Sequence, residues 1–250
     1  MSPARIPLKI LYPVCFSQKQ RNHLTQEESK MKKGLTELVF ILDRSGSMNG
    51  LEKDTIGGFN SLIEKQKKED GEALVSTVLF DDESKVLYDR VPIREVPKMT
   101  DKEYYVGGCT ALLDAIGGAI HHIGNVHKYI REEDCPKKTL FVITTDGMEN
   151  ASIRYDFKEV KRMVEQEQER YHWQFLFLGA NIDAIETAGR FGIRKEHAVN
   201  FENDEAGTEL NYRAINEAVT NYRSCKMACA DISDDWKKDI ERDYLKRHKK

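Results

Sequence analysis

Leu38-Val39-Phe40-Ile41-Leu42-Asp43-Arg44-Ser45-Gly46-Ser47 is the stretch whose reading decides the fold. Its first half is a short unbroken apolar run, the pattern of a strand buried on both faces in a parallel sheet. Its second half puts one carboxylate and two hydroxyls on alternate residues, and Gly46 lets the backbone turn tightly between the hydroxyls. Small oxygen donors at the C-terminal end of a buried strand suit a hard cation such as Mg²⁺. In open α/β sheets that end is where ligands bind. Ser45, Ser47 and Asn49 would equally serve as caps for a following helix. Taken alone, the stretch leaves both readings open.

Two remote segments bear on the choice. Leu140-Phe141-Val142-Ile143-Thr144-Thr145 is a second strand-like run, and it ends in Asp146-Gly147. Gly107-Gly108-Cys109-Thr110 opens a helical stretch and supplies a third hydroxyl. A doubly wound sheet would gather Asp43, Ser45, Ser47, Thr110 and Asp146 at one edge.

On these residues the chain resembles the von Willebrand factor type A (VWA) domain family, in the form of a stand-alone, bacterial-type member. The family's metal-ion-dependent adhesion site (MIDAS) reads Asp-x-Ser-x-Ser, then Thr, then Asp, and all five positions match here. The resemblance spans roughly residues 35–228. It implies a doubly wound, mostly parallel six-stranded sheet with one antiparallel edge strand and helices on both faces. It also implies that Ser45, Ser47 and Thr110 bind Mg²⁺ (or Mn²⁺) directly, while Asp43 and Asp146 act mainly through bound waters. One coordination position then stays open for an Asp or Glu of a partner protein. Neutral hydroxyl ligands leave such a cation electrophilic, so a carboxylate exchanges readily for water. Gly46, Glu149 and Asn150 would support the ligands from behind, although capping or solvent exposure accounts for Glu149 and Asn150 as well. Cys109 is a poor ligand for a hard cation and reads as a small packing residue.

The chain's 250 residues suffice for one large α/β domain with a full core. No linker or internal repeat divides it. A formal net charge of −3 gives no basic footprint for nucleic acid, and no apolar run of about 18 residues is present to span a membrane. The cysteines at 15, 109, 135, 225 and 229 are odd in number and scattered. They read as reduced thiols in a cytoplasm. Residues 1–34 are expected to form an N-terminal extension. Met31-Lys32-Lys33-Gly34 resembles a natural start, so residues 1–30 would be either disordered or translated from upstream of it. Residues 229–250 are read as a charged tail or helix in which Trp236, Ile240 and Tyr244 recur every four residues.

Along the chain, Asn49 is a candidate cap for a helix to about Lys68. Gly57-Gly58 within it suggests close approach to a strand. Residues 73–80 and 85–91 read as a strand and its antiparallel edge partner. Leu112, Leu113, Ile116, Ile120 and Ile123 mark one helix, residues 156–170 another, and residues 205–225 a third. Strands are expected at 174–179 and 198–201, with a short helix between. Such alternation argues for right-handed βα crossovers.

His121, His122 and His127 lack the spacing that aligns metal ligands on one helix. Cys225 and Cys229 have no matching pair for zinc. The expected function is a non-enzymatic, divalent-metal-dependent protein-binding module. A Mg²⁺-dependent phosphohydrolase on a similar fold is the alternative, but Ser45 stands where the second carboxylate of an Asp-x-Asp pair would act as general acid. A regulatory subunit of an ATPase or metal-insertion complex is a further reading.

Overall fold

The computed structural model describes residues 34–225 and 231–248. Residues 1–33 of the N-terminal extension, with the start at Met31, and Cys229 lie outside them. Six strands form one sheet: β1 (Thr36–Asp43), β2 (Ala73–Phe80), β3 (Ser84–Pro92), β4 (Lys138–Thr145), β5 (Gln174–Gly179) and β6 (Ala198–Asn200). Their spatial order is β3-β2-β1-β4-β5-β6, with only β3 antiparallel to its neighbour. The helices are α1 (Glu52–Gln66), α2 (Leu112–Tyr129), α3 (Phe157–Tyr171), α4 (Ala184–Arg190), α5 (Glu205–Ser224) and α6 (Lys238–His248).

All eight residues of β1 are buried, the five of its apolar run, residues 38–42, as that run requires. The strand's two-residue period divides that run between two cores. Leu38, Phe40 and Leu42 face α1, α5 and α6, whereas Val39 and Ile41 face α2, α3 and α4. Strand β4 divides Leu140 and Val142 from Phe141 and Ile143 in the same way. Each helix supplies the complementary stripe, such as Leu112, Ile116, Ile120 and Ile123 from α2.

The chain leaves β1 for β2 on one side and reaches β4 on the other, so the strand order reverses between β1 and β4. At such a switch point the loops diverge and leave a crevice beyond the carboxyl ends of the strands. Asp43 ends β1 and Asp146 follows β4, on either side of this crevice.

Two local expectations need correction. Asn49 does not cap α1; it closes a single 3₁₀ turn at Gly46–Met48, and α1 starts after Leu51 without a side-chain cap. The hydroxyls of Ser45 and Ser47 are spent elsewhere. The glycine pair in α1 does not meet a strand either. A Cβ on Gly58 would lie 2.1 Å from the Tyr212 ring of α5, so the glycine admits a helix; Gly57 has open space.

Near the C-terminus, Trp236 donates to the carbonyl of Glu196 at 3.2 Å and Lys237 to that of Ala198 at 3.0 Å. Ile240 is buried in the core that covers α5. The charged terminal segment is thus laid along the domain by the apolar edge that its four-residue spacing describes.

Candidate metal centre

Backbone hydrogen bonds assemble the site before any side chain acts. The Arg44 amide donates to the Phe80 carbonyl at 2.8 Å, and Ala111 donates to Asp81 at 2.8 Å, tying three strand-end loops together. Gly46 and Gly108 approach directly, amide to carbonyl, at 3.1 Å. The Asp43-to-Ser47 turn and the Thr110 loop are therefore held in register by main chain. Beneath them, the buried Tyr104 hydroxyl donates to the Asp43 carbonyl at 2.5 Å.

The side chains then converge. Asp43 accepts from the Ser45 amide through Oδ1 at 2.7 Å and from the Thr145 hydroxyl through Oδ2 at 2.5 Å. Ser47 Oγ donates to Asp146 Oδ1 at 2.5 Å and lies 3.0 Å from Ser45 Oγ. With the Ser47 proton committed to Asp146, Ser45 is left to donate to Ser47. Asn203, in the loop after β6, donates to Asp146 Oδ2 at 2.8 Å. Thr110 Oγ1 joins from above: a Cβ built on Gly147 would lie 2.9 Å from it and 3.3 Å from Ser47 Oγ. A side chain at 147 would crowd both hydroxyls, which is the physical reason for glycine after Asp146.

The five residues matched to the adhesion motif are thus brought together across loops more than 100 positions apart in the chain. Asn150 braces Thr110 on both sides, its Oδ1 accepting from the Thr110 amide at 2.9 Å and its own amide donating to the Thr110 carbonyl at 3.1 Å. Glu149 has another task. Its carboxylate accepts from the amides of Leu113, Ala151 and Ser152 and from the Ser152 hydroxyl, which fastens its loop to the start of α2. Cys109 is exposed and not a packing residue.

Three participants carried no sequence signal strong enough to single them out. Thr145 is hidden as the last residue of an apolar strand. Asn203 is 57 positions from Asp146. Tyr104 lies in an irregular loop. Only the shared position of strand-end loops at one sheet edge could have pointed to them.

Electrostatics set this cluster apart. Asp43 and Asp146 are 1% and 2% exposed, and their hydrogen-bond partners are all neutral donors. Arg44, although adjacent, turns away to pair with Asp81 at 2.8 Å and to cover the Tyr105 ring. Burial pushes both carboxyls above their usual range; hydroxyl and amide donors only partly offset this, and the charge of Asp146 adds to the rise at Asp43. Two buried carboxylates without a counter-charge call for a cation.

The donor set fits a hard one. Mg²⁺ bonds of 2.0–2.1 Å at right angles place neighbouring oxygens about 2.9 Å apart, and Ser45 and Ser47 are 3.0 Å apart. Among the described residues, no group of three or more His, Cys, Asp or Glu side chains is gathered as a metal site. The cluster here relies on hydroxyls instead.

Neither a protein-family model nor a curated protein matches this sequence. Solved structures do match its fold. Proximal thread matrix protein 1 from the mussel byssus superposes with a TM-score of 0.52 at 13% identity, over 75% of this chain and 46% of that one. Another structure of that protein has a zinc-occupied MIDAS motif. A von Willebrand factor type A protein from Catenulispora acidiphila gives a TM-score of 0.52 at 14% identity, covering 75% and 43% of the two chains. Manganese-loaded TRAP from Plasmodium vivax gives 0.51 at 19% identity, covering 71% and 72%. The chain thus spans less than half the length of the first two proteins. At these identities the likeness establishes architecture, and that architecture is the VWA, Rossmann-like α/β fold.

Proposed function

We propose that this protein is a non-enzymatic, divalent-metal-dependent protein-binding module. In this reading Ser45, Ser47 and Thr110 hold Mg²⁺ directly, and Asp43 and Asp146 hold it through water. The observation that carries the proposal is the pair of buried carboxylates with only neutral partners, set beside three hydroxyls at the switch point of the sheet.

Each residue has a defined part. Asp43 fixes the turn through the Ser45 amide, so the two serine hydroxyls face the same side. Asn203 and Ser47 orient Asp146. Asn150 fixes the Thr110 backbone. A bound Mg²⁺ supplies positive charge that the hydroxyls do not neutralise, leaving affinity for an Asp or Glu of a partner. The same site suits Mn²⁺.

A decisive experiment has two stages. Mn²⁺ binding is followed by electron paramagnetic resonance and Mg²⁺ binding by competition, for the wild type and for Ser47→Ala. Proteins of the native host are then captured with Mg²⁺, with chelator, and with Ser47→Ala. Retention of a partner only by the metal-loaded wild type supports the reading. Equal retention in all three arms overturns it, as does metal-dependent turnover of a generic phosphate ester, which would favour the phosphohydrolase.

A further inference from the structure

At the opposite end of the sheet a cleft of about 710 Å³ opens between α2 and α3, beside the first residues of β4 and β5. That volume lies within the range of small-molecule sites. Its apolar surface comes from Ile120, Met163, Tyr155, Tyr171 and Trp173. Gly124 keeps it open: a Cβ there would find its nearest neighbour, the Trp173 ring, at 4.0 Å. Trp173 is fixed as the back wall by stacking on Phe141 at 5.3 Å and by edge contact with His127 at 5.4 Å.

The polar groups of the cleft are unbalanced in two ways. Glu167 lines it while only 9% exposed, and its carboxylate has no hydrogen-bond or ion-pair partner among the described residues. The neighbouring His127 is turned to Glu37, 3.3 Å away, and Glu37 is itself paired with Arg90 at 2.9 Å. A carboxylate this little exposed, with no donor among the described residues, is one that a ligand's N–H can satisfy; burial pushes it above its usual range, with His127 and Arg170 offsetting part of the rise. Meanwhile Lys128, Lys137 and Arg162 line the cleft from three different segments, and none forms an ion pair with a described residue.

The ligand that answers these features has a flat ring for the aromatic wall and N–H donors for an acceptor-only carboxylate. It also has an anionic end for the cations. We propose that the cleft binds a purine mononucleotide of the guanine type. Two adjacent N–H groups on that ring suit a carboxylate's two oxygens, and the phosphate suits the lysine and arginine side chains. This site is separate from the metal centre and does not depend on it.

The test titrates the full chain, in the presence of chelator, with GMP, guanosine and inorganic phosphate, read by calorimetry. Saturable one-to-one binding of GMP is expected, with guanosine and phosphate each at least tenfold weaker. Glu167→Gln preserves size and is expected to weaken GMP at least about tenfold, the scale of a lost hydrogen bond to a charged group. Gly124→Leu fills the cleft and raises helix propensity, so it should abolish binding without lowering the thermal midpoint. The proposal is overturned by absence of saturable GMP binding up to about 1 mM. It is equally overturned if phosphate alone matches GMP, or if either variant binds GMP as the wild type does.

Discussion

Two buried charged clusters at opposite ends of the sheet are treated in opposite ways. Around the start of β4, Lys138 is sunk into the domain and its ammonium donates to the carbonyls of Tyr222, Arg223 and Cys225 at 2.7, 2.8 and 2.7 Å, closing the C-terminus of α5. Arg223 reaches back to the carbonyls of Gln66 and Gly71 at 2.7 and 2.9 Å, closing the end of α1. These cations meet the orphan carbonyls and the negative pole of a helix end, so the helix-end carbonyls have an answer within the fold. At the other end, Asp43 and Asp146 meet only neutral donors. Around Lys138 and Arg223 the buried cations are answered and hold the domain together. The other cluster carries uncompensated charge, the condition for taking up something from outside.

The sharpest way to break this contrast is Lys138→Met. It strands three helix-end carbonyls, each costing about 1 kcal/mol or more, so chemical denaturation should show a loss of about 3 kcal/mol. A loss below about 1 kcal/mol would mean that water serves this end and the contrast is false. Next in size is metal addition. At a hundred times its dissociation constant, Mg²⁺ should raise stability by about 2.7 kcal/mol, and Asp146→Asn should abolish the rise. Without metal, Asp146→Asn should change stability by less than about 1 kcal/mol or increase it, because it removes a buried charge while an amide can still bond Ser47 and Asn203. If metal-free Asp146→Asn falls as far as Lys138→Met, the carboxylate is structural.

The smallest effect concerns His197, just before β6 and only 1% exposed. Burial holds its imidazole below the ordinary range, while Nε2 lies 3.1 Å from the Ile232 carbonyl and 3.3 Å from Asp231. The folded state keeps this ring neutral, whereas the unfolded chain takes up a proton near pH 6.5. Its contribution is therefore complete above about pH 6.5 and is lost as pH falls toward the folded value, by at most about 1.4 kcal/mol per pH unit. Denaturation midpoints of wild type and His197→Gln between pH 7 and 5 should diverge accordingly. Parallel curves would show that the burial of His197 carries no proton-linked stability.

Much of this was legible in advance where one residue's role is local. The apolar runs of β1 and β4, the stripe of α2 and the Asp-x-Ser-x-Ser turn follow from periodicity and backbone chemistry within a few residues. Less legible were features that depend on what arrives from elsewhere. Gly58 looked like a strand contact because the sequence does not say that Tyr212 of α5 crosses there. Asn49 looked like a helix cap because a 3₁₀ turn and a later α1 start satisfy the same local pattern. Asn203 was invisible for a similar reason: a loop asparagine is common, and only the sheet order brings it to Asp146.

The sequence by itself determined the strand and helix order and the burial of β1, because these rest on short-range patterning, and it singled out five oxygen-bearing side chains as candidates. Tertiary structure alone decided that Thr145 and Asn203 orient the carboxylates, that Glu149 is spent on loop amides, and that Lys138 and Arg223 seal the other end. Hydrogen bonds and burial form between segments up to 157 residues apart, and no local pattern encodes which of them will meet.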